Sequence, residues 1–288
     1  MTCRRRLIRF HKLFRLTLLI LLVCLGWLPA SAQDVAEIIQ KSVEANNRDW
    51  KANSQFDNFE TDRIGQGSRT YDVTILFGSP YERLVAVNGK ELTGDQKAAQ
   101  QKKFEQALSQ RKAESPEQRS RRIAKYEADR RRDHVMLEQL TSAFNFTLQG
   151  EQQLGPYPVY VLKATPRPGY RPPNRDSRVL PGMEGTLWID KSSFHWVKVE
   201  AHVIHAVEIE GFVAKVEPGT RFELETMPVE GDIWLPKHYL MTANAKILGL
   251  ISHHSQEDDS YFNYHRHVAP ELSAPENPPD HNSTQGGP

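Results

Sequence analysis

Cysteine is almost absent from this sequence of 288 residues: its two cysteines, Cys3 and Cys24, both lie near the N-terminus. If the segment that contains them is removed, the rest of the chain can form no disulfide and offers no thiol nucleophile or cysteine metal ligand. The sequence also lacks the phosphate-binding glycine loop, the nucleophile elbow, the H-E-x-x-H pair and the dinucleotide-binding glycines. We therefore predict a protein that is not an enzyme and needs no cofactor.

Long apolar segments are also missing, apart from one near the N-terminus. Six basic residues precede an apolar run from Leu16 to Trp27, and Ala30-Ser31-Ala32 follows it. The run is shorter than the roughly 20 residues that a membrane-spanning helix needs, and the small residues after it fit a signal peptidase site. We expect a signal peptide over residues 1–32, cleavage after Ala32 and export to the periplasm, with an uncleaved anchor as the alternative.

Charge is unevenly distributed over residues 33–288, which carry 31 basic and 36 acidic residues. The segment from Lys97 to Arg132 alone has 12 basic and five acidic residues. Its second half contains a single aromatic residue, Tyr126, so the pattern does not predict a nucleic-acid partner. Anionic lipid headgroups or an acidic protein surface suit such a segment better. A solvated helix with internal charge pairs remains the simpler interpretation.

Helical spacing is clearest in three places. Val35, Ile38, Ile39 and Val43 predict an amphipathic helix over about 34–49. A charged helical insertion is expected over about 95–143, as one helix to about residue 112 and a second that follows Ser115-Pro116. Ser115 can cap the second helix, proline fits its first turn and Gln118 stands at the capping-box position.

Strand patterns dominate elsewhere, above all after residue 144. Val197 and Val199 alternate with polar residues, as in a sheet that has one buried and one solvated face. Short polar turns such as Asn88-Gly89 favour hairpins and hence an antiparallel meander. We predict one domain over residues 33–268 of the α+β class, mainly antiparallel. A stiff, exposed loop rich in proline and arginine is expected at about 165–182, and a disordered tail at 269–288.

Histidine and aspartate crowd one stretch near the C-terminus: His253, His254, Asp258, Asp259, His265 and His267. Such residues can bind zinc, and His265 and His267 would share one face of a strand. A polar loop between hairpin strands, followed by the end of a strand, explains the same residues more simply. The sequence therefore predicts no metal site.

The order of elements resembles that of the periplasmic lipoprotein carriers and receptors, a superfamily that includes sensors of envelope stress. The local resemblance lies in residues 185–191 (GTLWIDK), 196–200 (WVKVE), 222–224 (FEL) and 233–236 (IWLP). It also extends to uncharacterised envelope proteins of acidobacterial type. The resemblance implies a curved, half-open β-barrel covered by helices, with an apolar cavity between them that binds acyl chains. The long charged insertion and the loop at 165–182 depart from the family pattern.

The leading hypothesis is a non-enzymatic cell-envelope carrier of lipid or of lipoprotein acyl chains. A periplasmic sensor that binds a protein partner is the alternative, and a metal-dependent hydrolase is a second one. Candidate cavity residues are Trp188, Trp196, Trp234, Val197, Val199, Ile38 and Ile39. Candidate contacts to a partner or to headgroups are Arg121, Arg122, Arg130, Arg131, Arg132, Arg167 and Arg171.

Overall fold

The computed structural model describes residues 31–209, 214–247 and 251–268, so most of the predicted signal peptide and the predicted tail lie outside the described residues. The helices are α1 (Ser31–Asn53), α2 (Gly94–Lys112) and α3 (Pro116–Ala143), with a 3₁₀ helix at Asp176–Gly182. The strands are β1 (Phe56–Ile64), β2 (Gly67–Leu76), β3 (Ser79–Val87), β4 (Lys90–Glu91), β5 (Phe144–Leu154), β6 (Tyr157–Pro166), β7 (Met183–Asp190), β8 (Trp196–Val203), β9 (Val207–Glu208), β10 (Ala214–Val216), β11 (Arg221–Glu230), β12 (Ile233–Ile247) and β13 (Ile251–Arg266).

The described strands form one antiparallel sheet in the order β4-β3-β2-β1-β13-β12-β11-β8-β7-β6-β5, and the short β9 and β10 branch from β12. Its two edge strands, β4 and β5, do not pair with each other among the described residues, so the sheet is a curved, half-open barrel. This confirms the predicted fold class. None of the helices that the structure describes is long and apolar enough to cross a membrane.

Local sequence signals set several element boundaries. Asn88 (φ 51°) and Gly89 (φ 70°) take left-handed conformations in the turn between β3 and β4, as the hairpin prediction requires. Ser115 caps α3: its hydroxyl accepts from the Gln118 backbone N–H at 3.3 Å, and the Gln118 side chain accepts from the Ser115 N–H at 2.8 Å. Thr93 forms the same capping box at the start of α2.

The prediction of a loop after residue 252 is wrong. β13 pairs with β12 along one edge and with β1 along the other, so this polar segment is an interior strand. Its sequence shows no apolar alternation, because polar residues occupy both faces of the strand. The segment is nevertheless a strand, because β1 and β12 hydrogen-bond its backbone on both sides.

The prediction of an exposed loop at residues 165–182 is wrong in part. β6 continues to Pro166, and the segment ends in the 3₁₀ helix Asp176–Gly182. Leu180 is 4% exposed and belongs to the main apolar core, while Ser177 is fully buried. Burial of the Leu180 side chain stabilises this segment against the sheet. The proline and arginine content of the segment did not indicate this burial.

Arginine side chains dock the α2–α3 pair onto the hairpin of β2 and β3. Arg111 donates to the backbone carbonyls of Leu76, Ser79 and Pro80 at 2.8–2.9 Å. The Arg119 guanidinium lies over the Phe77 ring, 5.0 Å from its centroid. The basic residues of the insertion therefore hold it to the sheet as well as facing solvent.

Candidate functional site

The inner face of the sheet, meaning the face against which α1 packs, changes character from one side to the other. Residues directly opposite each other on antiparallel strands project to the same face. One such row crosses nine strands: Leu148, Leu162, Leu187, Val199, Leu224, Tyr239, Asp259, Asp62 and Arg69. The inner face is therefore apolar from β5 to β11 and acidic at β13 and β1.

The apolar half is covered by α1. Ile38 and Ile39, 5% and 6% exposed, pack with Leu162, Leu187 and Ile189 in one apolar cluster, here called the α1 cluster. The helical spacing of its apolar residues places one side of α1 on the sheet, as the sequence predicted. Half-buried residues of β11, Phe222 and Leu224, pack against the same cluster. They mark where the apolar surface approaches its acidic neighbour.

Trp196 brings one unsatisfied polar atom to this apolar half. Its ring packs against the α1 cluster, yet its Nε1–H is buried and has no hydrogen-bond acceptor in the described part of the chain. Leaving a buried donor unpaired costs about 1–3 kcal/mol, so such atoms are uncommon in native proteins.

Polar contacts fix the C-terminal end of α1 to the sheet. Asp49 accepts a hydrogen bond from the Trp234 backbone N–H at 3.0 Å, and its other oxygen lies 3.3 Å from Nε2 of His195. His195 is fully buried and stacks on the Trp234 ring with 5.3 Å between centroids. Sequence reasoning missed this cluster, because nothing in the local pattern connects Asp49 with a histidine so distant along the chain.

The candidate cavity residues fall into two groups. Ile38, Ile39 and Val199 are buried in the α1 cluster, with Trp196 packed against it. The other three belong to a second cluster, in which Val197 and Trp234 are buried and Trp188 is partly buried. No single apolar cluster among the described residues contains all seven. Their role in binding remains a prediction.

The candidate contact arginines also divide. Three donate hydrogen bonds to other elements of the chain: Arg122 to Phe77 and Ser79, Arg130 to the Trp50 carbonyl, and Arg167 to the Phe144 carbonyl. Arg167 is nevertheless exposed, as are the other four, Arg121, Arg131, Arg132 and Arg171, and Arg132 also donates to Asp129 within α3. The exposed members remain candidates for contact with a partner.

The histidine-rich segment lies along β13 and just after it. Nδ1 of His267 is 3.1 Å from the buried Asp57 carboxylate, and Nε2 of His265 is 3.7 Å from the same group. Asp57 also accepts from the Ile75 backbone N–H at 2.7 Å. Among the described residues these three do not form a compact ligand set, whereas Glu60, Asp62 and Asp259 do.

The acidic half of the inner face holds carboxyl groups that are hard to ionise. Burial, followed by repulsion from Asp62, Glu82 and Asp259, raises the pKa of Glu60 to about 7. Burial, followed by repulsion from Asp62 and Glu257, raises the pKa of Asp259 to about 7. Near neutral pH these groups therefore change their protonation state.

We expect the Glu60 and Asp259 carboxyl groups to make stability fall as the pH rises from about 4 to about 7. Both ionise near pH 4 when unfolded but near 7 when folded, so the folded state binds more protons between these values. The double variant Glu60→Gln, Asp259→Asn should therefore raise the free energy of unfolding more at about pH 7.5 than at about pH 5. Urea denaturation at both pH values measures this difference.

Asp258→Asn is the matched control on the opposite face of β13. Although burial raises the pKa of Asp258, its hydrogen bonds with His238 and Arg63 lower it overall. Its carboxylate therefore stabilises the fold above pH 4, and its removal should lower stability at neutral pH. An equal gain from the double variant at both pH values would contradict the expectation for Glu60 and Asp259.

No protein-family model and no curated protein matches the chain. Among solved structures, a LolA superfamily protein from Nitrosomonas europaea matches at 12% identity and TM-score 0.30, over 84% of this chain and 96% of the other. An outer membrane lipoprotein-sorting protein domain from Vibrio parahaemolyticus matches at 11% identity and TM-score 0.31, over 79% and 93%. The MucA/MucB complex of Pseudomonas aeruginosa matches at 12% identity and TM-score 0.22, over 79% and 99%.

Proposed function

We propose that this protein is a non-enzymatic carrier of the cell envelope that binds an acyl chain between α1 and the apolar half of the inner face. The observation that carries the proposal is the unpaired Nε1–H of Trp196, buried at an apolar surface. An acyl ligand suits both features: its hydrocarbon would lie against the apolar side chains and its carboxyl or ester oxygen would accept from the indole.

The apolar half supplies the surface on which such a ligand would lie. Buried side chains of β6, β7 and β8 form a continuous surface under α1, with Phe222 and Leu224 at its margin. Each methylene that the ligand buries contributes about 0.8 kcal/mol, so chain length should govern affinity. The hydrogen bond from the Trp234 backbone N–H to Asp49 holds one end of α1. The rest of the helix contacts the sheet through apolar side chains, and a hydrocarbon chain would contact the same side chains.

Trp196→Phe tests the proposal, because it keeps most of the ring and removes the N–H donor. We expect palmitate to bind the wild-type protein saturably, and the substitution to weaken binding about tenfold through loss of one hydrogen bond to a charged acceptor. The free energy of unfolding without ligand should not fall, since the lost donor was unpaired. Shorter fatty acids should bind progressively more weakly. Isothermal titration calorimetry and urea denaturation provide the two readouts.

Trp50→Phe is the control, because the Trp50 ring stacks on His134 of α3 and is not part of the apolar cluster that contains Trp196. It should leave palmitate affinity unchanged. Absence of saturable binding, together with native mass spectra of envelope-extracted protein that show no bound lipid, would remove the carrier proposal.

Partner binding is the second candidate, favoured by the exposed surface of α3. Two open depressions of about 550 and 390 Å³ follow this helix and meet at Ala124, with Arg131 beside the second. Arg132 also lines the second depression, and both arginines are exposed. This surface would suit an acidic segment of an envelope protein. If the protein does not bind lipid, partner binding at this surface becomes the better-supported function.

A further inference from the structure

The two sides of α3 carry basic residues with different roles. On one side, Arg122 donates to the Phe77 carbonyl in the turn between β2 and β3, and Arg130 donates to the Trp50 carbonyl of α1. These guanidinium groups hold the helix to the rest of the protein. The exposed basic residues of the helix, here called the basic face, are Arg121, Lys125, Arg131 and Arg132. One side of α3 is therefore docked, and the basic face meets solvent.

Helical geometry brings the residues of the basic face together. On a helix with about 3.6 residues per turn, Lys125 and Arg132 project within about 40° of Arg121, and Arg131 borders them about 80° away. Ala128 lies between these side chains and lines an open depression of about 390 Å³. The face therefore combines a group of cations with a shallow floor formed by a small apolar residue.

The charges of the basic face are largely uncompensated. Within the part of the chain that the structure describes, Arg132 pairs with Asp129, whereas the other three cations form no ion pair. The exposed acidic residues described on α3, Glu117 and Glu138, stand outside residues 121–132. Four cations along about 16 Å of helix therefore face solvent with one close counter-charge. Such a surface attracts an extended anionic partner.

The same helix continues from the basic face into the α1 cluster. Leu140 packs against that cluster, and Ala143 is fully buried in it. Met136, which is 38% exposed, lies between the two regions. Arg132 and Leu140 are about 12 Å apart along the helix axis. A surface that contacts the basic face would therefore lie close to the apolar half of the inner face.

We propose that the basic face docks on an anionic phospholipid surface. Lipid phosphate groups accept charge-assisted hydrogen bonds from arginine and lysine, and each such cation near an anionic bilayer strengthens binding about fivefold. A bilayer is favoured over an acidic protein segment because it supplies the hydrocarbon that the neighbouring apolar site would bind. That preference rests on the proposed function. Both occupants need the same positive charge, so vesicles and an acidic polypeptide are compared.

Co-sedimentation with lipid vesicles tests the proposal. We expect saturable binding to vesicles of equal parts phosphatidylglycerol and phosphatidylcholine, and at least about tenfold weaker binding to pure phosphatidylcholine. Sodium chloride raised from about 0.05 to about 0.5 M should weaken the binding, because salt screens the attraction. The triple variant Arg121→Gln, Lys125→Gln, Arg132→Gln should weaken it at least about thirtyfold, since each lost charge contributes about fivefold.

The matched control removes two arginines and one lysine that are exposed on strands of the sheet: Arg69→Gln, Arg221→Gln, Lys237→Gln. It should change vesicle binding by less than about threefold, because these charges lie away from α3. Both triple variants should keep the wild-type melting temperature, since all six side chains are exposed. Lysine in place of Arg121 and Arg132 keeps the charge and should keep vesicle binding within about threefold.

Trp196→Phe separates membrane docking from acyl-chain binding, because it should weaken palmitate binding and leave vesicle binding unchanged. Absence of vesicle binding at about 0.05 M salt would overturn the docking proposal. Equal weakening by the two triple variants would overturn it too, since overall charge and not the basic face would then govern binding. Tighter binding of polyglutamate than of vesicles, measured by fluorescence anisotropy, would assign the basic face to an acidic protein instead. None of these outcomes changes the palmitate result.

Discussion

Ile189→Ala is expected to lower the free energy of unfolding by about 2–5 kcal/mol. Ile189 is fully buried in the cluster between α1 and the sheet, where Ile38 and Leu162 also pack. Truncation removes apolar atoms from a close-packed interior and leaves a cavity that strands β6 and β8 on either side cannot fill by moving. Urea denaturation monitored by circular dichroism measures the loss.

Ile64→Ala is the matched control for this change. It removes the same atoms from the end of β1, where the side chain is 61% exposed, and should change the free energy of unfolding by no more than about 0.5 kcal/mol. A small loss for Ile189→Ala would show that the core can rearrange around it. In that case the α1 cluster is less tightly packed than its burial indicates.

Arg122→Gln is expected to destabilise the docking of α2 and α3 by about 1–3 kcal/mol. The Arg122 guanidinium donates to the Ser79 hydroxyl at 2.6 Å and to the Phe77 carbonyl at 3.1 Å, and it also pairs with the Glu114 carboxylate. Ser79 is 4% exposed, so water cannot easily replace the lost donor. Glutamine is too short to reach these acceptors with the same geometry.

The effect of Arg122→Gln should be local, because the guanidinium joins the helices to a single hairpin. Hydrogen exchange should accelerate in α2 and α3 while the amides of β6 to β8 keep their protection. Arg121→Gln changes the adjacent residue, whose side chain is exposed, and should leave exchange unchanged. Equal acceleration in both variants would mean that the arginine charge, and not its hydrogen bonds, holds the helices.

The elements of this chain followed largely from patterns that extend over a few residues. The apolar spacing in α1, the capping boxes at Thr93 and Ser115 and the Asn88-Gly89 turn all depend on neighbours within about four positions. Each pattern has the same meaning wherever the segment lies in the fold. The predicted helices could therefore be placed without knowledge of their packing.

Which elements meet was decided by the tertiary structure. Nothing within β13 marks it as an interior strand, because its place depends on β1 and β12 satisfying its backbone on both sides. Asp62 and Asp259 oppose each other only in that register, and His195 meets Asp49 only when α1 docks on the sheet. Such contacts join residues far apart in the chain, and their energies come from burial and pairing, which short-range periodicity does not encode.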